Sequence, residues 1–280
     1  TTDLTQSSGV FNGGSSSVVI ANNFSLSGGT FTACAFSMSL SNNFTQNGTG
    51  YFDHNNGNIN LTNTAIDVST TVVFNNANIT GPSTIAAGDT IRFEGVPIFF
   101  DGMSGGTMEF MNNVTGLQTA GEIITSTCIF MGSNNQTLTL AGDVDEWDGD
   151  VIINKTGGQL LLASTFDLDA ANQDLIITSG TFDLSGFNLA VNGASGQLIV
   201  QDGGNLQLQG QETITVNGGN PQLLTGSSVT YTGGTGTKTL KDYSYYHLVV
   251  SSANTYNLPA NLDVNGNLAI SSGTLDVTAS

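Results

Sequence analysis

The densest group of side chains able to ligate or to move protons lies at 142–151, Gly-Asp-Val-Asp-Glu-Trp-Asp-Gly-Asp-Val. Asp143, Asp145, Asp148 and Asp150, with Glu146 among them, offer hard oxygen donors of the kind Ca²⁺ takes, six to eight at about 2.4 Å. The spacing departs from the helix–loop–helix calcium pattern, because Trp147 stands at its fifth position and Asp148 where that loop needs glycine. Two readings stand: a calcium site at Asp143, Asp145, Asp148 and Asp150, or a solvated acidic loop. Trp147, the sole tryptophan, is expected to pack a turn rather than to serve as a sugar platform.

Other reactive types are sparse. His54 and His247 are the two imidazoles, and Arg92, Lys155, Lys238 and Lys241 the four bases. His247 precedes the apolar Leu248-Val249-Val250 and reads as a turn residue; Arg92 is expected to pair with Asp89 or Glu94. A carboxylate pair for hydrolysis could be assembled from Asp167, Asp169 and Asp183 across neighbouring segments. Cys34 and Cys128 have no Cys-x-x-Cys partner, which excludes haem attachment and zinc motifs. Cys34 shares parity with Phe36, Met38 and Leu40, so all four are expected inside as a small apolar set.

These residues must be held by strands. Helical periodicity is almost absent over the 280 residues; short alternating runs recur instead, closed by Gly, Asn-Gly or Ser-Gly. Runs of four to six residues separated by two to four turn residues suit either an antiparallel sandwich or a parallel β-helix. Repeats decide between them, since coiling imposes a period of one rung. Asn22-Asn23-Phe24 returns one such period later as Asn42-Asn43-Phe44, and Leu168, Leu189 and Leu208 keep a comparable interval. A longer duplication relates 136–184 to 238–277: Val151-Ile152-Ile153 matches Leu248-Val249-Val250, and Gly180 matches Gly273. The counterpart of the acidic stretch there, Asp-Tyr-Ser-Tyr-Tyr-His-Leu, keeps one acid, so the repeat itself demands no metal.

The expected fold is therefore all-β, a parallel β-helix of about 20 residues per rung forming a single β-solenoid over 1–280. At about 4.8 Å per rung, a dozen or so rungs make a rod on the order of 60 Å long. Cys34 and Cys128 would then lie about 20 Å apart, too far to bridge.

Twenty-two acids against four bases give a net charge of −18, which repels a nucleic-acid backbone. There is no apolar run long enough to span a bilayer, so membrane insertion is not expected. Few lysines with abundant Asn, Thr and Gly point to an exported, extracellular protein. The chain begins at Thr1, which suggests a removed leader or a piece of something longer. Eight Asn-x-Ser/Thr sequons occur, against about seven expected by chance at this composition, and they argue nothing about glycosylation. Thr-x-Thr pairs at Thr30, Thr62, Thr125, Thr137, Thr213 and Thr230 are too irregular for an ice-matching ladder.

The segment Gly-Thr-Gly-Thr-Lys-Thr-Leu through Gly-Thr-Leu-Asp-Val near the C-terminus resembles the Gly/Thr-rich β-solenoid repeats of large bacterial surface proteins. Filamentous-haemagglutinin-like adhesins and autotransporter passengers typify them. The likeness covers 136–280 well and 1–135 in texture. It implies a right-handed coil, a cell-surface location and structural or adhesive work, with no catalytic signature. β-Helical polysaccharide hydrolases carry Asn-Thr-Asp, Asp-Asp, Gly-His-Gly and Arg-Ile-Lys strings, none of which occurs here.

The last fifteen residues hold no helix, charge cluster or proline that would blunt a strand edge. A coil ending this way would pair with an adjoining solenoid of a longer chain, or head-to-tail with an identical subunit to give a filament. The expectation is a fibre subunit, with an adhesin passenger and a polysaccharide-processing enzyme as alternatives.

Overall fold

The computed structural model describes residues 2–115, 123–140, 147–233, 236–259 and 261–278. Those residues contain strands and no helix, and the strand pairings that join one rung to the next are parallel. The chain is a parallel β-solenoid of about 13 turns, about 20 residues apart. It divides into two compact units, one of 1–129 with 139–149, the other of 130–138 with 150–280.

In the first unit three ladders run from rung to rung. One stacks Leu4–Gln6, Phe24–Leu26 and the second half of Ser37–Gln46, with each partner one full turn further along the chain. A second stacks Ser17–Ile20 on the first half of Ser37–Gln46, then on Asn58–Val68, Asn76–Ile79 and Pro97–Phe99. The third begins with Val10–Asn12, Thr30–Thr32 and Tyr51–Asp53. Alternation places every second side chain inside, and identical register makes those side chains columns. Phe24 and Phe44 stack at 4.9 Å and Phe11 and Phe31 at 4.5 Å; Phe93 lies on Phe110 at 5.7 Å. Each such ring removes a large apolar area from water and adds a favourable ring contact.

Ser37–Gln46 and Asn58–Val68 run to 10 and 11 residues, longer than the short runs expected. The cause is local. Asn42 (φ 88°) and Asn63 (φ 51°) take the left-handed conformation that asparagine tolerates, so the backbone rounds a corner without a separate turn. The corner amides stack as well: Asn42 Nδ2 donates to Asn22 Oδ1 at 2.8 Å and to Asn23 Oδ1 at 3.0 Å.

The second unit repeats the design with wider coils at first and inner columns that are mostly aliphatic. Val151, Leu175 and Leu198 form one inner column, and Leu160, Phe182, Leu206, Val229, Leu248 and Leu268 another. The turn from Val151 to its partner Leu175 takes more chain than the turn from Leu248 to Leu268. Val151–Leu162 and His247–Asn257 each break register after their third apolar residue or just beyond it. Gly180 (φ 77°) and Gly273 (φ 81°) follow in the rungs paired to them. A side chain on Gly180 would sit 2.7 Å from Lys155 Cβ, so both conformation and space require glycine.

Candidate functional site

The sequence-predicted residues are dispersed. Asp143 and Asp145 lie outside the described residues. Asp148 donates its backbone N–H to Ile124 O, and Asp150 Oδ1 accepts the Asp174 N–H at 2.9 Å. Asp174 Oδ1 in turn accepts from Gln197 N, also at 2.9 Å. Asp150 thus caps a backbone column between rungs. Burial, aided by the neighbouring Asp150 charge, holds the Asp174 carboxyl above its usual range despite the Gln197 bond. Among the described residues no group of three or more His, Cys, Asp or Glu gathers to hold a metal.

Asp167 and Asp183 belong to strands of different sheets, Phe166–Leu168 and Leu175–Asp183. Asp183 is held by Gln207 Nε2 at 2.7 Å and Ser185 N at 2.7 Å, both structural bonds. Trp147 is buried against Phe110, with ring centroids 6.2 Å apart, which is the packing role expected. Cys34 and Cys128 are both free and buried, and burial pushes both thiols up, Cys128 furthest. Such thiols are poor nucleophiles.

Three expectations are corrected. Phe36 does not share the interior with Cys34, Met38 and Leu40; it is 70% exposed, because it sits in the bend before Ser37–Gln46, where alternation restarts. Arg92 pairs with neither Asp89 nor Glu94. Its Nε donates to Glu109 Oε2 at 2.7 Å, while Glu94 takes His54 and Asp89 accepts the Val68 N–H. His247 opens the strand His247–Asn257 rather than lying in a turn, and its Nδ1 accepts from Asn267 N at 3.0 Å.

Two further places on the surface stand apart from the regular coil. The first is the strand Leu268–Asp276. It pairs with His247–Asn257 along one edge, and no pairing occupies its other edge among the described residues. Leu268 and Ile270 register with the buried Leu248 and Val250, so they occupy core columns, yet they are 46% and 48% exposed.

The second is a cleft of about 380 Å³ in the first unit, lined by Gln46, Tyr51, Asp53, His54, Thr70 and Glu94 among others. Its origin is a break in the third ladder. Tyr51–Asp53 is paired to Thr30–Thr32 and Val72–Phe74 to Thr90–Phe93, but among the described residues no ladder joins Tyr51–Asp53 to Val72–Phe74, the following strand on that side. At the same place the coil shortens: the turn from Asn58 to its partner Asn76 takes less chain than the preceding turn from Ser37 to Asn58. The step in the wall is the cleft. Asn56 N donates to His54 Nδ1 at 3.0 Å, which leaves the proton on Nε2, facing Glu94 Oε2 at 3.3 Å. A smaller hollow of about 180 Å³ adjoins it and shares Thr70 and Thr71. Sequence reasoning missed this site. Its signal was the shortened interval after Asn-Asn-Gly-Asn at 55–58, visible only against known register.

The sequence matches no family model, and comparisons with curated proteins and with solved structures find no match.

Proposed function

We propose that this chain is an extracellular structural β-solenoid, a subunit or segment of a fibre, whose last described coil pairs with a further coil, either of an identical chain by end-to-end stacking or of an adjoining solenoid. One observation carries the reading: Leu268 and Ile270 stand in register with core columns and are half exposed beside an unpaired strand edge. A neighbouring coil set in the same register would cover both side chains and satisfy the free backbone groups of Leu268–Asp276. Repetition of the contact gives a heterologous, non-closing assembly, that is, a filament. The paucity of lysine and the net charge of −18 support an exported protein whose flanks repel one another.

Sedimentation velocity over a concentration series, with electron microscopy of the same samples, tests the reading. The wild type is expected to form longer rods as concentration rises. Ile270→Lys, at an already exposed position, is expected to fold normally and remain monomeric. A wild type that stays monomeric up to about 1 mM, where a contact of some 4 kcal/mol would register, rules the assembly out.

A further inference from the structure

We infer that the cleft beside Tyr51 is a binding site for a neutral oligosaccharide. Four features converge there. Tyr51, the outward neighbour of the buried Phe52, is 61% exposed and presents an aromatic ring at the wall. Gln46, only 8% exposed, also lines the cleft; its Nε2 is committed to Gly50 O at 3.1 Å, and its Oε1 has no hydrogen-bond partner. A buried acceptor left in this state is costly, and a hydroxyl donor entering the cleft would satisfy it. Asp53 and Glu94 add carboxylate acceptors, and His54 faces Glu94 with its Nε2 proton. Thr70 and Thr71 contribute hydroxyls that donate or accept.

This combination selects a ligand with many hydroxyls and one apolar face. A pyranose has both: axial C–H groups for the tyrosine ring, and equatorial hydroxyls for Gln46, Asp53 and Glu94. A volume of about 380 Å³ lies within the range of small-ligand clefts. Two carboxylates and a chain charge of −18 repel uronates, sulfated sugars and phosphates, which excludes the anionic class. The adjoining hollow at Ser69, Gly88 and Asp89 gives a chain longer than one unit somewhere to continue. The site stands on the first unit alone and is independent of whether terminal coils stack.

Isothermal titration of the full chain with cellohexaose, maltohexaose and chitohexaose, and with a galacturonate hexamer as the anionic control, tests it. At least one neutral hexamer is expected to bind saturably with Kd on the order of 0.1–1 mM. Tyr51→Ala is expected to weaken it at least about tenfold, and Gln46→Met by about fivefold, whereas Tyr246→Ala leaves it unchanged. Amide shifts of the wild type on titration should centre on Gln46, Tyr51 and His54, a readout that survives if either variant fails to fold. No binding at about 10 mM, shifts centred elsewhere, or Tyr51→Ala binding as tightly as wild type would each overturn the site. Equal binding of the galacturonate hexamer would overturn the assignment of the ligand class.

Discussion

Arg92 and Glu109 are register partners on adjacent coils, and their side chains meet at 2.7 Å outside the ladder that joins their backbones. The pair is partly shielded, with side chains 34% and 17% exposed. Arg92→Ala or Glu109→Ala should lower stability by about 1 kcal/mol. A double-mutant cycle read by denaturant unfolding should return a coupling of similar size that shrinks in high salt. Full additivity of the two substitutions would contradict the pairing.

Phe44 sits in the aromatic column, stacked on Phe24 and edge-on to Phe52 and Phe74. Truncation to alanine should cost roughly 3–5 kcal/mol, while Phe36→Ala, at an exposed bend, should change stability by less than about 0.5 kcal/mol. Thermal or urea unfolding of the two variants side by side checks the contrast.

Lys155 is 2% exposed, and its Nζ donates to Gln136 Oε1 and Met131 O, with no carboxylate among the bonds it makes there. Burial lowers its pKa from 10.5 to about 8. The folded chain therefore carries less of this proton than the unfolded chain between pH 8 and 10.5, and stability from this group rises with pH across that window. Below about pH 8 the buried ammonium costs on the order of 3 kcal/mol relative to the unfolded state. The cysteine thiols and the buried Tyr231, Tyr243 and Tyr245 hydroxyls, all pushed up by burial, act in the opposite direction above about pH 9. The test is thus the difference in unfolding free energy between wild type and Lys155→Met. That difference should climb between about pH 8 and 10.5 in the wild type's favour; a flat difference would refute the shift.

Gly180 and Gly203 share a left-handed backbone, at φ 77° and 80°, but differ in their surroundings. A Cβ on Gly180 meets Lys155 Cβ at 2.7 Å, and one on Gly203 meets nothing within 4 Å. Gly203→Ala should cost about 1–2 kcal/mol from conformation alone. Gly180→Ala should cost a further 1–3 kcal/mol or so from crowding against the lower coil. Melting temperatures of the two variants should fall in that order.

The coil was legible because its side-chain columns leave a trace in the linear order. Asn22-Asn23-Phe24 and Asn42-Asn43-Phe44 are vertical neighbours, and the interval between them is the circumference of a rung. What lies between strands was less legible. Parity predicted Phe36 inside, but parity holds only within a strand, and the bend at Ala35 and Phe36 interrupts it before Met38 and Leu40 resume the same face. Nearest sequence neighbours predicted the partner of Arg92, whereas register supplied Glu109 from the next coil. The cleft was hidden for the same reason. Tyr51, His54 and Glu94 line one cleft where the ladder is interrupted between Tyr51–Asp53 and Val72–Phe74, an event with no local motif.

Coil circumference varies, from the short turn between Ile91 and Met108 to the long one between Leu189 and Ile214, while alternation within each strand is kept. The scaffold is therefore tolerant at its corners and strict along its edges. Changing a corner by a few residues only reshapes the outer wall, and a shortened turn accompanies the one notch without disturbing the phenylalanines behind it. A single residue inserted within a strand would turn an entire inner column outward. New grooves can thus be carved into the rim of such a molecule at small cost to the spine that supports them.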